Sequence, residues 1–181
     1  MAIYTKRGDK GETSLYDAMS TQRIRVSKNS TKIHVLGSVD ELNSFLGIIV
    51  SMSDDKKLGS ILKEIQKNLF TIGSIMAGSN LRFYNSSTKK MEKIIDDLET
   101  SLPALQNFIL PGGNSIAAHL HMARSIARRM ERSLIELYET ESVRPQILTY
   151  VNRLSDFLFM LARQVNFEKG TQEDVWIGRK G

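Results

Sequence analysis

Arginines and short polar residues recur beside the apolar stripes of two helical segments. On residues 115–140, His121, Arg124, Arg128 and Glu131 follow one another at steps of three and four. Such steps place the four side chains on one face of a helix. A guanidinium can donate two parallel hydrogen bonds to a phosphate, so arginines at the edge of a core are typical phosphate ligands. A solvated face with Arg–Glu pairs is the simpler interpretation, and composition alone favours it.

The segment that starts near Pro145 has the same feature. Asn152 and Asp156 lie four residues apart within YVNRLSDFLFMLAR, directly beside the apolar stripe. Asn and Asp are unfavourable inside a helix, and a carboxylate next to a core must be paired or face a site. A structural Arg–Asp pair is an equally good interpretation. Asp40 lies beside the apolar stripe of an earlier segment, where it also suits a helix N-terminus.

The stretch TKRGDKGETSLYD, residues 5–17, combines turn residues, hydroxyls and cations. Gly8 and Gly11 allow positive φ and a close backbone approach. Together with cations and hydroxyls, they would suit an anion nest for phosphates. The groups concerned are Thr5, Lys6, Arg7, Asp9, Lys10, Thr13, Ser14 and, further along, Lys28. The stretch is not a Walker A motif, and on its own it favours a flexible N-terminus.

Other residue types narrow the chemistry. The chain has no cysteine, which excludes thiolate nucleophiles and Cys-ligated metals. His119 and His121 are two residues apart and diverge on a helix, so they are a poor metal site and are expected to be surface or packing residues. FILPGG, residues 108–113, is a helix-to-helix connection or a shaped loop that presents Phe108 to a ligand.

The composition is that of a globular protein with one domain. Its 181 residues are 41% hydrophobic and 25% charged, and the net charge is +5. A basic chain suits a polyanionic partner, but no Lys/Arg block or aromatic–basic pattern indicates nucleic acid. No apolar run approaches the ~20 residues of a membrane span, and we expect a cytoplasmic protein without a membrane or nucleic-acid partner.

Five segments show the helical period, which predicts an all-α fold, a five-helix antiparallel bundle. The predicted helices cover 38–52, 54–77, 88–101, 115–140 and a segment from 145 onward. Ser38 and Glu41 have the spacing of a capping box at the first helix. Strand signals are nearly absent, with TKIHVLG at 31–37 as a doubtful short strand. Residues 169–181 are expected to be a polar tail of this single domain, 1–181.

Five motifs in this order resemble the PduO-type ATP:cob(I)alamin adenosyltransferases, enzymes of cobalamin processing. They are TKRGDKGETSL, GSVDELNSFLG, FILPGG, ARSIARRMERS and YVNRLSDFLFMLAR. The resemblance implies a homotrimer with active sites between subunits. It also implies the substrates ATP, with Mg²⁺, and a reduced corrinoid. In this family Co(I) attacks C5′ of ATP and triphosphate leaves. Because Co(I) is itself the nucleophile, no Ser, Cys or His nucleophile is required.

The resemblance also implies residue roles. Residues 1–30 would form a nucleotide-binding segment whose loop (Thr5, Lys6, Gly8, Asp9, Gly11, Thr13 and Ser14) wraps the phosphates, with Lys28 as a further cation. Arg128 would contact triphosphate, and Asn152 would lie near the nucleotide and its Mg²⁺. Arg124 would pair with Asp40 across the subunit interface. Glu131 and Asp156 match acidic positions of the same site. Phe108 would cover the lower face of the corrin and displace its axial base.

Two positions depart from the family pattern. Arg7 replaces a small neutral residue, and Ala127 stands where some relatives have cysteine.

Two other classes of function remain. A regulatory bundle that binds ATP without corrinoid activity is the first alternative, although the residues for both substrates are present. A basic nucleic-acid-binding bundle is the second, and salt-dependent DNA binding would identify it.

Overall fold

The computed structural model describes residues 4–17 and 22–178. Parts of the predicted nucleotide-binding segment 1–30 and the last three residues of the predicted tail lie outside these ranges. The described chain has five helices: α1 Thr31–Met52, α2 Lys56–Met76, α3 Asn85–Ser101, α4 Ser115–Tyr138 and α5 Pro145–Glu168. Strands β1 Glu12–Asp17 and β2 Gln22–Ser27 form one small antiparallel sheet, and β3 Phe108–Ile109 and β4 Val175–Trp176 form another. The predicted five-helix fold is therefore confirmed, with two short antiparallel strand pairs added.

Consecutive helices alternate in direction. Lys32 contacts Glu141 at one end of α1, and Glu41 contacts Arg129 further along, so α1 and α4 run antiparallel. α3 and α5 are also neighbours, but they are two helices apart in the chain and therefore run parallel. One apolar core joins all five helices, with Leu42, Leu69, Met91, Leu120 and Leu158 among its buried residues.

The first helix begins seven residues before the predicted start. TKIHVLG is helical rather than a strand, because Val35 and Val39 face the core one turn apart, both almost fully buried. The predicted capping box is wrong, since Ser38 lies inside α1 and donates its hydroxyl to the carbonyl of His34 across 2.9 Å. Pro145 does open α5, as its fixed φ predicts.

Helix α1 is, among the described residues, the one helix long and apolar enough to cross a membrane by length and composition. The prediction that no segment reaches this length is therefore wrong for α1. Its apolar stripe packs against α2 and α4, and Asp40 and Glu41 lie near its middle. We interpret α1 as a core helix of the bundle.

The N-terminal stretch forms a β-hairpin rather than a flexible arm. Strand residues are mostly exposed, but Leu15 is buried, and the amide of Tyr16 donates to the carbonyl of Ala77 across 3.1 Å. Gly78 makes this approach possible, because a Cβ there would lie 1.6 Å from the carbonyl oxygen of Tyr16. The hairpin is thereby fixed to the C-terminal end of α2.

Candidate functional site

A cavity of about 780 Å³ lies between the outer face of α4 and α5 and the β3–β4 pair. Four of the predicted site residues line it: Phe108, Arg124, Arg128 and Asp156. The two arginines are one turn apart on α4, as their spacing predicts. Phe108 is 79% exposed and lines the cavity with Trp176 and Ile177, which are also exposed; a contiguous apolar patch of this kind indicates a ligand or partner surface.

The loop that carries Phe108 is held by a buried asparagine. Asn166 of α5 accepts a hydrogen bond at Oδ1 from the amide of Asn114 (2.9 Å) and donates from Nδ2 to the carbonyl of Gly112 (3.2 Å). Gly113 has φ +94°, and a Cβ there would lie 2.4 Å from Asn166 Oδ1. Asn114 then caps α4 by accepting the amide of Ile116. FILPGG is therefore a shaped loop built onto α5.

The polar tail forms another wall of the cavity. Arg163, almost fully buried, donates Nε to the carboxylate of Glu173 (3.1 Å) and a terminal nitrogen to the carbonyl of Pro103 (2.8 Å). β4 then pairs with β3, and the Phe108 and Trp176 rings meet edge to face at 6.5 Å. Sequence reasoning missed this wall. The available signal was Arg163, a cation between the apolar positions of α5.

Glu131 and Asn152 meet outside the cavity lining. Asn152 Nδ2 donates to Glu131 Oε1 across 2.7 Å, which joins α5 to α4 one turn beyond Arg128. Asp156 lies 3.7 Å from Arg153, which also contacts Glu92 of α3. The structural Arg–Asp interpretation of Asp156 is thus partly correct, although this exposed pair contributes little.

His121 is a buried residue of the cavity wall. It is 3% exposed, and its ring lies 5.8 Å from that of Phe159. Burial lowers the pKa of His121 below the ordinary 6.5, and the positive charge of Arg124 lowers it further. The imidazole is therefore neutral at neutral pH. The sequence placed His121 in the polar stripe but assigned it only a surface or packing role.

Arg25 and Lys28 shape the N-terminal loop. Arg25 donates to the carbonyl of Arg7 (2.7 Å) and to the hydroxyl of Ser14 (3.2 Å), and Lys28 Nζ donates to the carbonyl of Gly8 (2.8 Å). Lys6 and Gly11 both have positive φ. Ser14 and Lys28, two of the groups predicted to bind phosphate, are therefore held beside the turn at Arg7 and Gly8. Arg25, which the sequence analysis did not consider, holds this arrangement and also pairs with Glu12.

Within the described part of one chain, two sets of residues that were predicted to act together do not contact each other. Asp40 lines a small apolar cavity of about 260 Å³ between α1 and α2, whereas Arg124 faces the α4–α5 cavity. Among the described residues, no hydrogen bond or ion pair links Asp40 to Arg124. The hydrogen bonds of the N-terminal loop, over the same residues, do not reach Arg128 or Asn152 either.

The arrangement can bind a large ligand with an apolar face and an anionic part. Phe108, Phe159 and Trp176 supply apolar surface, and Arg124 and Arg128 supply positive charge. No group of three or more metal-ligating acidic or His side chains occurs in the part of the chain that the structure describes. Such a site can position a ligand and stabilise negative charge on it.

A five-helix bundle with this site has a known counterpart. The family model for cobalamin adenosyltransferase matches residues 3–165, and the chain belongs to that family. It is 37% identical over 178 residues to the corrinoid adenosyltransferase of Bacillus subtilis, covering 94% of this chain and 89% of that protein. It is also 38% identical over 170 residues to the corrinoid adenosyltransferase PduO of Citrobacter freundii. That match covers 90% of this chain but only 49% of the longer relative.

A solved structure agrees with both the fold and the family. A PduO-type ATP:corrinoid adenosyltransferase from Lactobacillus reuteri, a phenylalanine-to-alanine variant complexed with cobalamin and ATP, superposes with a TM-score of 0.91. The two chains are 34% identical, and the match covers 98% of this chain and 100% of the other. An arginine-to-lysine variant of the same enzyme, complexed with ATP, has a TM-score of 0.89 at 35% identity, covering 97% and 100% of the two chains.

Proposed function

We propose that this protein transfers the 5′-deoxyadenosyl group of ATP to the Co(I) centre of a reduced corrinoid. The observation that carries the proposal is the cavity that unites Phe108 with Arg124 and Arg128. The related L. reuteri enzyme supports it. The phenylalanine and arginine altered in its two variants are twenty positions apart, as Phe108 and Arg128 are here.

The reaction needs little covalent chemistry from the protein. Cobalt supplies both electrons of the new Co–C5′ bond, the C5′–O bond breaks, and triphosphate leaves with that electron pair. Arg128, with the N-terminal loop and Lys28, stabilises the charge that develops on the leaving group. Phe108 presents an apolar face to the corrin ring and excludes its lower axial base. That exclusion leaves cobalt four-coordinate and eases its reduction.

The active site is shared between subunits of a homotrimer. Asp40 and Arg124 do not meet within one chain, and a contact between two copies would bring opposite charges together. The cavity beside Asp40 is mostly apolar and includes the exposed ring of Phe70, as expected for a face that is covered in an assembly. The N-terminal loop of one subunit would then hold the phosphates against Arg128 and Asn152 of its neighbour.

Glu131 and Asn152 fit a magnesium ion that arrives with ATP. Mg²⁺ is usually bound by one or two protein oxygens, with phosphates and water completing the octahedron. The pair offers a carboxylate and an amide oxygen next to Arg128.

We further propose that residues 1–181 form one domain, in which residues 1–30 bind the nucleotide. The enzyme acts in the cytoplasm, where ATP is available.

The test is adenosylation under strongly reducing conditions. Pre-reduced Co(I) cobalamin, Mg·ATP and the protein are mixed, and the absorption spectrum is followed to adenosylcobalamin while triphosphate is measured. We expect both products in equal amounts. ATP binding without either product would instead support a regulatory bundle. DNA binding that weakens steeply with salt, without adenosylation, would support the nucleic-acid alternative.

A further inference from the structure

Three buried polar atoms on one side of the cavity have no protein partner. Neither Nδ1 nor Nε2 of His121 makes a hydrogen bond within residues 4–17 and 22–178, and the same is true of Nε of Arg124. The two residues are one turn apart on α4, and both line the 780 Å³ cavity. Buried polar groups are almost always hydrogen-bonded, so three unsatisfied atoms in one place indicate a missing partner.

The donors and acceptors define what that partner must offer. A neutral imidazole has one N–H donor and one acceptor nitrogen, and Arg124 Nε is a donor. Phosphate oxygens only accept, so a phosphate would leave the acceptor nitrogen of His121 unpaired. A primary carboxamide offers an acceptor oxygen and an NH₂ donor, which satisfies both kinds of atom. Such amides surround the corrin ring of cobalamin.

We propose that His121 and Nε of Arg124 bind one peripheral carboxamide of the corrinoid, an inference that rests on the proposed function. The terminal nitrogens of Arg124 remain available for Asp40 of another subunit. The ring of Phe159 supports the imidazole from the side. His121 thereby fixes the rotation of the corrin plane relative to Phe108, and it distinguishes amidated corrinoids from less amidated ones.

The sharpest test changes the substrate by one group. Cobalamin derivatives in which a single side-chain amide is replaced by its methyl ester keep the carbonyl acceptor and the neutral charge but lose the NH₂ donor. We expect the wild-type protein to bind one ester isomer about tenfold more weakly than cobalamin, the size of one lost hydrogen bond with a buried acceptor left unpaired. The other isomers and ATP should bind as before.

Variants of His121 test whether this residue causes the weaker binding of the ester. His121→Phe keeps an aromatic ring but removes both nitrogens, and it should bind cobalamin and the discriminating ester equally. His121→Asn, which retains a donor and an acceptor, should recover part of the difference. His119→Phe is the matched control, because His119 lies on the same helix, stacks on Phe45 and does not line the cavity.

The outcomes are separable. If wild-type protein binds all the esters as tightly as cobalamin, no amide is recognised and the inference is wrong, whatever the variants do. If discrimination persists in His121→Phe, the amide contacts another residue. A loss of ATP affinity in His121→Phe with unchanged cobalamin affinity would assign the pair to the adenine ring. Failure of the wild-type protein to adenosylate cobalamin at all would overturn the proposed function instead.

Discussion

Asn152 of α5 donates its side-chain amide to the carboxylate of Glu131 on α4, across 2.7 Å. This hydrogen bond places an amide and a carboxylate next to Arg128, where the phosphates of ATP are proposed to lie. Asn152→Asp would put two carboxylates within hydrogen-bond distance and add negative charge beside a polyanion. We expect ATP added without Mg²⁺ to bind at least tenfold more weakly, about 1.4 kcal/mol, as measured by titration calorimetry. Mg·ATP should lose less affinity, because the second carboxylate can bind the ion.

A matched control for that charge exists on the same helix. Gln164 donates to Glu168 across 2.7 Å, so Gln164→Glu creates the same carboxylate pair away from α4. Its ATP affinity should equal that of the wild type. Equal weakening in both variants would mean that net charge, rather than the site, is responsible.

Arg128→Ala and Phe108→Ala should fail in different steps. Loss of a positioned donor to a developing anion commonly lowers turnover by ~10²–10³, and Arg128→Ala should also weaken ATP binding. Phe108 has no charge, so Phe108→Ala should keep its ATP affinity and be slow only when the assay starts from Co(II). Supplied with pre-reduced Co(I), it should recover much of its rate.

Arg129→Ala is the control for Arg128→Ala. Arg129 is adjacent in sequence but pairs with Glu41 and does not line the cavity, so its loss should leave turnover unchanged. If Phe108→Ala lost ATP binding as severely as Arg128→Ala, the corrinoid role of the loop would be wrong.

Asp40→Ala and Arg124→Ala should complement each other if their contact joins two subunits. Breaking a desolvated pair costs about 3–5 kcal/mol, so each variant alone should lose activity and assemble poorly. After mixing and subunit exchange, interfaces with both wild-type residues form and activity should reappear. Sedimentation follows the assembly. Inactive mixtures, or a wild-type monomer at micromolar concentration, would contradict the shared site.

The lowered pKa of His121 gives stability a pH dependence. The unfolded chain binds a proton near the ordinary 6.5 while the folded chain does so only at lower pH. The free energy of unfolding therefore falls as pH decreases from 6.5 toward the lowered value. Urea unfolding at about pH 7.5 and about pH 5.5, above the range of ordinary carboxylates, should show a smaller loss for His121→Phe than for the wild type. His119→Phe is the control, and an equal loss in all three proteins would contradict the prediction.

Gly113→Ala should disturb the loop of Phe108, whereas Gly112→Ala should not. At Gly113 a Cβ meets Asn166 at 2.4 Å and φ is +94°, but at Gly112 no atom lies within 4 Å of it. We expect Gly113→Ala to be destabilised by roughly 1–3 kcal/mol and to bind corrinoid weakly, with ATP affinity retained. Similar behaviour of the two variants in corrinoid titrations would show that the loop geometry is not critical.

The helical part of the fold could be predicted because its signal is periodic. α4 has buried residues at steps of three and four from Ala117 to Leu137, and its observed bounds lie within two residues of those predicted. The start of α1 was missed because Ile33 and Val35 are β-branched and resemble a strand, although tertiary contacts decide their conformation. The N-terminal hairpin was missed because Leu15 is its one buried residue among those the structure describes.

The site was predictable where it follows one helix and not where it depends on distant segments. Arg124 and Arg128 are brought together by the helical repeat itself. Asn166 lies 52 residues from Asn114, and Arg163 contacts the carbonyl of Pro103 sixty residues away. A single sequence carries no periodic signal for such contacts. The role of His121 was missed for another reason, since a histidine next to a core is usually a packing residue.

The β3–β4 wall gives the protein an optical reporter. Trp176 is the only tryptophan in the sequence, and its indole lines the corrinoid cavity against Phe108. Its emission therefore comes from one place in the molecule, beside a substrate that absorbs strongly in the near ultraviolet and visible. Energy transfer to a bound corrin would quench that fluorescence, whereas ATP bound alone would leave it largely unchanged. Occupancy of one substrate in a two-substrate enzyme can thus be followed in real time without any label.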